Sequence, residues 1–189
     1  MTSVLAISGS LRAGSFNSLL INAARELAPT GMAIEIYRGL GDIPPYNGEL
    51  DTATAPAPVT DLRARIAAAD GLLISTPEYN YGPSGVLKNA LDWASTPPHS
   101  SVLLGKPVAL MGASPSPFGT VRAQLGLRQL FLWTGSRVVS KPEVCVFTAY
   151  ERFGADGRLA DQGTADLVSG LLASLETELH RPAPLPAAV

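Results

Sequence analysis

The residues best suited to chemistry lie near the amino terminus, in the stretch G-S-L-R-A-G-S-F-N at positions 9–17. An apolar run precedes this stretch and a helix-periodic segment follows it, which is the order of strand, polar loop and helix. The first amide groups of a helix have no partner within the helix and favour an anion. Arg12 adds a full charge and a forked set of donors that suits phosphate. The stretch therefore predicts a phosphate-binding loop, and simple capping of the helix is the competing interpretation.

The spacing of this loop excludes two common nucleotide-binding motifs. A Walker loop needs Lys followed by Ser or Thr after its second glycine, whereas Gly14 is followed by Ser15 and Phe16. The dinucleotide fingerprint G-x-G-x-x-G is also absent, because the second residue after Gly9 is Leu11. The sequence therefore supports neither ATP hydrolysis nor a conventional dinucleotide-binding fold.

A second informative stretch, P-E-Y-N-Y-G-P-S-G at positions 77–85, follows the apolar run Gly71–Thr76. Its prolines and glycines leave the backbone few accessible conformations. We expect the backbone amides of residues 78–80 to contact the edge of a flat polar ring, while the tyrosine side chains cover a face of that ring. An ordinary turn into the next helix is the alternative interpretation.

Strand and helix patterns alternate along the chain. Strands are expected at Val4–Ser8, Ala33–Tyr37, Gly71–Thr76, Val108–Gly112 and Val144–Phe147, and helices at about 17–28, 59–69, 84–95, 120–133 and 164–180. This alternation predicts an α/β fold, a doubly wound five-stranded parallel sheet of order 2-1-3-4-5 with helices on both faces. In such a sheet the ligand lies at the carboxyl ends of strands one and three, where the winding direction reverses.

Length and composition limit the possible classes of protein. The 189 residues suit a single domain, expected over 1–181 and followed by a disordered tail at 182–189. The net charge of −2 gives no attraction to nucleic acid or to a membrane surface, and the low charged fraction of 16% suggests contact with another subunit. The lone Cys145 cannot form an internal disulfide. Because the sequence shows no signal peptide, we expect a cytoplasmic protein.

Taken together, the motifs resemble the NADPH-dependent FMN reductases, and most closely their bacterial chromate and quinone reductase branch. The similarity rests on the two stretches above and on G-V-L-K-N-A-L-D-W at 85–93, G-K-P-V at 105–108, L-R-Q at 127–129, K-P-E at 141–143 and D-Q-G-T at 161–164. These motifs span nearly the whole chain in one order, and their combination is far more specific than any one of them.

This resemblance implies a flavodoxin-like fold that binds FMN without a covalent bond. The family's phosphate loop maps onto Ser10, Arg12, Ser15, Phe16 and Asn17. Its ring-contacting loop maps onto Pro77, Glu78, Tyr79 and Asn80. The loop after the fourth strand, including Ser114, Ser116 and Gly119, is expected to close over the ring and the ribityl chain. The resemblance also implies that the chain forms a homodimer or a homotetramer.

That last loop departs from the family pattern. Family members usually carry two adjacent glycines here, whereas this chain has Pro115, Pro117 and Phe118. We therefore expect a narrower mouth to the site.

The expected activity follows from the resemblance and from the residues that are missing. The sequence contains no metal-ligand cluster and no nucleophile elbow, and hydride transfer to a flavin requires neither. We expect NADPH or NADH to reduce FMN, which then passes electrons to a quinone, an azo compound, chromate or a similar small molecule in a ping-pong cycle. No residue is predicted to be catalytic.

Two alternatives remain open, a flavodoxin-type electron carrier and a non-catalytic flavin-binding sensor. The small net charge and the absence of a T-x-T-G-x-T loop disfavour the carrier.

Overall fold

A computed structural model describes residues 1–182. Apart from residue 182, the tail predicted to be disordered lies outside the described residues. The strands and helices, in chain order, are β1 Thr2–Ser8, α1 Phe16–Glu26, β2 Met32–Tyr37, α2 Ala57–Ala68, β3 Gly71–Ser75, α3 Gly85–Ala94, β4 Pro107–Ala113, α4 Val121–Trp133, β5 Arg137–Val138, β6 Val144–Val146 and α5 Gln162–Leu179. Every predicted helix and strand is present, with ends that agree to within two residues.

The strands form one parallel sheet of order β2-β1-β3-β4-β5, with β6 also paired to β4. The predicted order 2-1-3-4-5 is confirmed, because the predicted fifth strand is β6 and lies beside β4. The predicted count of five is corrected to six by the short strand β5. Strand β5 pairs with Pro107 and Val108 at the start of β4, whereas β6 pairs with the residues 111–113 at its end. The fifth position of the sheet is therefore one strand in two pieces, and a two-residue piece is too short to show a period.

Both faces of the sheet are covered, which explains why its central strands are apolar at successive positions. Leu5 and Ile7 of β1 point toward a core that includes side chains from α2, α3 and α4. Val4 and Ala6 point the other way, into a core built with α1 and α5. The helices thus lie on both faces as predicted, and the carboxyl ends of the strands meet at one edge. Within residues 1–182, no helix combines the length and apolarity needed to cross a bilayer.

Candidate functional site

The loops that follow β1 and β3 pack directly against each other. The amide of Gly9 donates to the carbonyl of Ser75 at 2.8 Å, and the hydroxyl of Ser84 donates to the carbonyl of Gly9 at 2.5 Å. A Cβ atom at Gly9 would lie only 2.9 Å from Cδ of Pro77. The two loops therefore meet at a position where only glycine fits, as expected for neighbouring strands at a reversal of the winding.

The first loop presents an unpaired charge beside a helix start. Ser15 caps α1, because its hydroxyl accepts the amide of Asn17 at 3.2 Å. The chain turns back just before this cap, and the amide of Ser15 donates to the carbonyl of Arg12 at 3.2 Å. The guanidinium of Arg12 is exposed, and no side chain or carbonyl among residues 1–182 forms a hydrogen bond or ion pair with it. Capping and anion binding are compatible here, because the cap leaves the guanidinium available.

Asn17 lies in the same motif but its side chain faces the protein. The residue is 3% exposed, and its amide nitrogen donates to the carbonyl of Ala113 at 2.9 Å. Its amide oxygen accepts the backbone amide of Ala113 at 2.9 Å and the hydroxyl of Ser75 at 3.0 Å. This side chain therefore joins the start of α1 to the ends of β3 and β4, and both lone pairs of its oxygen are occupied.

The loop after β3 forms a tight two-residue turn. Tyr79 and Gly82 exchange backbone hydrogen bonds of 2.9 and 3.0 Å, and the residues between them, Asn80 and Tyr81, have φ angles of 49° and 69°. Two successive positive φ angles are typical of a type I′ hairpin turn. The backbone amides of residues 78–80 were expected to contact a ring. The amide of Tyr79 already donates to Gly82 within the turn, so it is not free to contact a ligand.

The carboxylate of Glu78, the residue just before this turn, caps α4. It accepts the backbone amides of Arg122 at 3.0 Å and Ala123 at 3.2 Å, and it pairs with the Arg122 guanidinium. A carboxylate at this end of a helix is favourable because it faces the positive end of the dipole. With only 6% of its side chain exposed, Glu78 can offer a ligand its backbone but not its carboxylate.

Arg122 contacts two aromatic rings, an arrangement that the sequence did not predict. Its guanidinium carbon is 3.9 Å from the ring centroid of Tyr81 and 4.8 Å from that of Phe118. The hydrogen bond to Glu78 is the main cause that raises the pKa of Arg122 above its usual value. Cation–π contacts with Arg122 thus connect the exposed ring of Tyr81, in the turn, with the exposed ring of Phe118, in the loop after β4. No short-range spacing could have revealed this contact.

A cavity of about 160 Å³ lies between the loops after β1, β3 and β4. Its lining consists of Ser10, Arg12, Ser15, Phe16, Asn17, Pro77, Glu78, Tyr79, Ala113, Ser114 and Pro115. The structure thus brings most of the predicted site residues to one place. Three of them, Asn80, Ser116 and Gly119, do not line this cavity.

Each of these three has a visible local role. Asn80 occupies the tip of the turn, where its positive φ is tolerated. The carbonyl of Ser116 accepts the amides of Gly119 at 3.4 Å and Thr148 at 3.2 Å. Gly119 has a φ of 59°, and an added Cβ would lie 3.1 Å from the backbone of Cys145, so this glycine allows the loop to approach β6.

The described part of the chain offers no alternative centre based on a metal or a reactive thiol. No group of three or more His, Cys, Asp or Glu side chains among residues 1–182 could hold a metal ion. Cys145 is half-buried, and burial raises the pKa of its thiol, which disfavours the reactive thiolate.

Comparison with known proteins agrees with this geometry. The family model described as NADPH-dependent FMN reductase matches residues 2–151. An NAD(P)H-dependent FMN reductase of Pseudomonas aeruginosa is 46% identical over 178 residues, covering 94% of this chain and 95% of the relative. A quinone reductase of Escherichia coli is 36% identical over 180 residues, covering 94% of this chain and 95% of the relative.

A solved structure extends the agreement to three dimensions. The flavoenzyme NAD(P)H:(acceptor) oxidoreductase of Paracoccus denitrificans superposes with a TM-score of 0.86 at 35% sequence identity. The match covers 95% of this chain and 97% of that one. The chain therefore belongs to the NADPH-dependent FMN reductase family and is an oxidoreductase of the kind that uses FMN and a nicotinamide nucleotide.

Proposed function

We propose that residues 1–181 form one flavin-binding domain that transfers electrons from NAD(P)H to quinone-type small molecules. The observation that carries this proposal is the Arg12 guanidinium, which has no partner among residues 1–182 and lies beside the capped start of α1, in a cavity shared with the loop after β3. Relatives named as quinone reductases and NAD(P)H:quinone oxidoreductases support the class of acceptor.

The residues of this cavity fit a flavin mononucleotide. Arg12 would bind the phosphate, and the hydroxyl of Ser15 retains a proton to donate although its oxygen accepts the amide of Asn17. The amides of Phe16 and Ser18, in the first turn of α1, donate no hydrogen bond to any residue that the structure describes. The phosphate end of the cofactor therefore has both charge and oriented donors available.

The loop after β3 would contact the ring end. Its backbone is fixed by the turn and by the contact of Pro77 with Gly9, so its amides are oriented before any ligand binds. The amides of Glu78 and Asn80, unlike that of Tyr79, have no acceptor among residues 1–182 and would stabilise negative charge on the ring. When bound, FMN supplies the redox chemistry by accepting a hydride at N5 and releasing electrons to the acceptor.

The exposed aromatic side chains explain how flat acceptors would bind. Tyr79 lines the cavity and is 49% exposed. Tyr81 and Phe118, at 74% and 62% exposed, pack on Arg122, the ion-pair partner of the cavity residue Glu78. Aromatic surfaces of this kind stack on quinones and on the nicotinamide ring. Because both substrates would reach the ring through the same cavity, we propose that they bind in turn, with ping-pong kinetics. Azo compounds and chromate are further candidate acceptors, and solvent supplies the protons.

An assembly of two or four copies is part of the proposal. Helix α4 exposes Leu132 and Trp133 at 80% and 84%, and Val121 and Leu125 at about half. Such an apolar face is typical of a subunit contact. Light scattering of the purified protein tests this point. The cytoplasmic location expected from the sequence stays a prediction.

One experiment tests the proposed function directly. An absorbance spectrum of the purified protein is recorded without oxygen, then after adding NADPH, and again after adding a quinone. We expect flavin bands that bleach with NADPH and return with the quinone. Colourless protein that takes up no added FMN would contradict the proposal. Flavin bands that NADPH does not bleach would instead favour the electron carrier or the sensor.

A further inference from the structure

A second and larger cleft, of about 380 Å³, adjoins the loop after β1 on the side of β2. The cleft and the cofactor cavity share Ser10 and Arg12 in their linings. The shared residues belong to the phosphate loop, whereas Glu78 and Tyr79, at the proposed ring end, line only the smaller cavity. The larger cleft is thus reached from the phosphate end of the proposed cofactor.

The cleft is positively charged. Arg12 and Arg38 both line it, and no carboxylate among residues 1–182 does. Neither guanidinium forms an ion pair or a side-chain hydrogen bond with any residue between 1 and 182. Two arginines beside one cleft repel each other and favour a ligand with more than one negative charge, such as two linked phosphates.

The remaining walls suit a nucleoside. Asn22 is half-buried, and within the described chain its side-chain amide has no hydrogen-bond partner. Leu11 and Ile36 provide apolar surface for a base. The volume of the cleft lies within the roughly 300–1,000 Å³ typical of small-molecule sites.

We propose that this cleft binds the adenosine monophosphate half of FAD, so that the chain accepts FAD as well as FMN. The inference rests on the proposed function, because it requires the flavin phosphate at Arg12. Arg38 would contact the second phosphate, and the walls of the cleft would contact the adenosine. A nicotinamide nucleotide is a poorer fit, because its reacting ring must approach the opposite end of the flavin.

The test is a pair of titrations. Flavin-free protein is titrated with FMN and, separately, with FAD, and binding is followed by the quenching of flavin fluorescence. We expect both flavins to bind to the wild-type protein. Arg38→Ala should lower the affinity for FAD by about tenfold, since a charge-assisted contact is lost. It should change the affinity for FMN by less than about twofold. Arg25→Ala is the matched control, because this exposed arginine of α1 lines neither cavity.

The outcomes separate this inference from the proposed function. Binding of FMN without binding of FAD, or equal weakening of both flavins by Arg38→Ala, would overturn the inference alone. The inference would also be overturned if Arg38→Ala changed the ratio of the KM values for NADPH and NADH but left the affinity for FAD intact. The cleft would then serve the co-substrate. Failure of the protein to bind either flavin would overturn the proposed function as well.

Discussion

The loops after β1 and β3 leave adjacent strands at the same edge of the sheet, yet their polar groups are used differently. In the first loop the Arg12 guanidinium contacts no acceptor among the described residues. In the second loop the Glu78 carboxylate accepts two amides and a guanidinium, and the amide of Tyr79 is bonded within its own turn. One loop leaves its charge available for a ligand, whereas the other uses its charge to fix its own shape.

The same contrast occurs within one motif. Asn17 and Arg12 are five positions apart, but Asn17 is buried with its amide oxygen fully occupied. Residue type alone therefore does not separate groups that bind a ligand from groups that position the loop. Stability and flavin affinity, measured on the same variants, do separate them.

Glu78→Ala should have the largest effect on stability. The change leaves two backbone amides and the Arg122 guanidinium without their acceptor, and we expect the free energy of unfolding to fall by about 2–4 kcal/mol. Urea unfolding of the flavin-free protein measures this loss. Glu49→Ala is the control, because this exposed carboxylate forms no hydrogen bond or ion pair in the described chain and its loss should cost less than about 0.5 kcal/mol. Equal midpoints for the two variants would show that the carboxylate of Glu78 does not stabilise the fold.

Asn17→Ala should come next, at about 2 kcal/mol. The truncation leaves the amide and carbonyl of Ala113 unpaired in a buried environment, and the hydroxyl of Ser75 loses its acceptor. Asn22→Ala on the same helix is the comparison, since Asn22 forms no such bonds within residues 1–182. If both variants unfold at the same urea concentration, the junction at Asn17 contributes little to stability.

Gly9→Ala tests the contact between the two loops. The new methyl group would meet Cδ of Pro77 at 2.9 Å and a methyl carbon of Leu87 at 3.0 Å, so one loop must move, at a cost of about 1–3 kcal/mol. Gly14→Ala provides a matched control, because a Cβ there meets nothing within 4 Å. Thermal unfolding and an FMN titration of both variants should show a loss for Gly9→Ala alone. A loss of stability without any loss of affinity would show that the spacing of the loops does not matter for the flavin.

Local pattern predicted most of the fold. Apolar periodicity located every helix, and the apolar runs located every strand longer than two residues. The meeting of the loops after β1 and β3 followed from strand order alone, since a winding reversal places those two strands side by side. The exception is β5, which is too short to carry a period.

The positioning contacts of the site could not be predicted in this way. Glu78 bonds to residues 44 and 45 positions away, and Asn17 bonds across 96 positions. Contacts between residues so distant in sequence depend on how the strands and helices are arranged in the fold. The spacing of residues along the chain cannot predict them. The flavin contacts of Ser116 and Gly119 were assigned from the family resemblance, and that of Asn80 also from its own stretch of sequence. These contacts stay predictions, because the three residues lie outside the cavity lining.

Arg12→Ala should have the smallest effect on stability and a clear effect on binding. The guanidinium is exposed and unpaired in the described chain, so the free energy of unfolding of the flavin-free protein should change by less than about 0.5 kcal/mol. FMN affinity should fall by about 1–3 kcal/mol, the range of a charge-assisted hydrogen bond. Arg12→Lys keeps the charge but removes the forked donors of the guanidinium. The affinity of this variant for FMN should lie between those of the alanine variant and the wild type. Unchanged affinity would remove Arg12 from the site. A loss of stability as large as that of Glu78→Ala would place Arg12 among the groups that position the loop, and the contrast between the two loops would disappear.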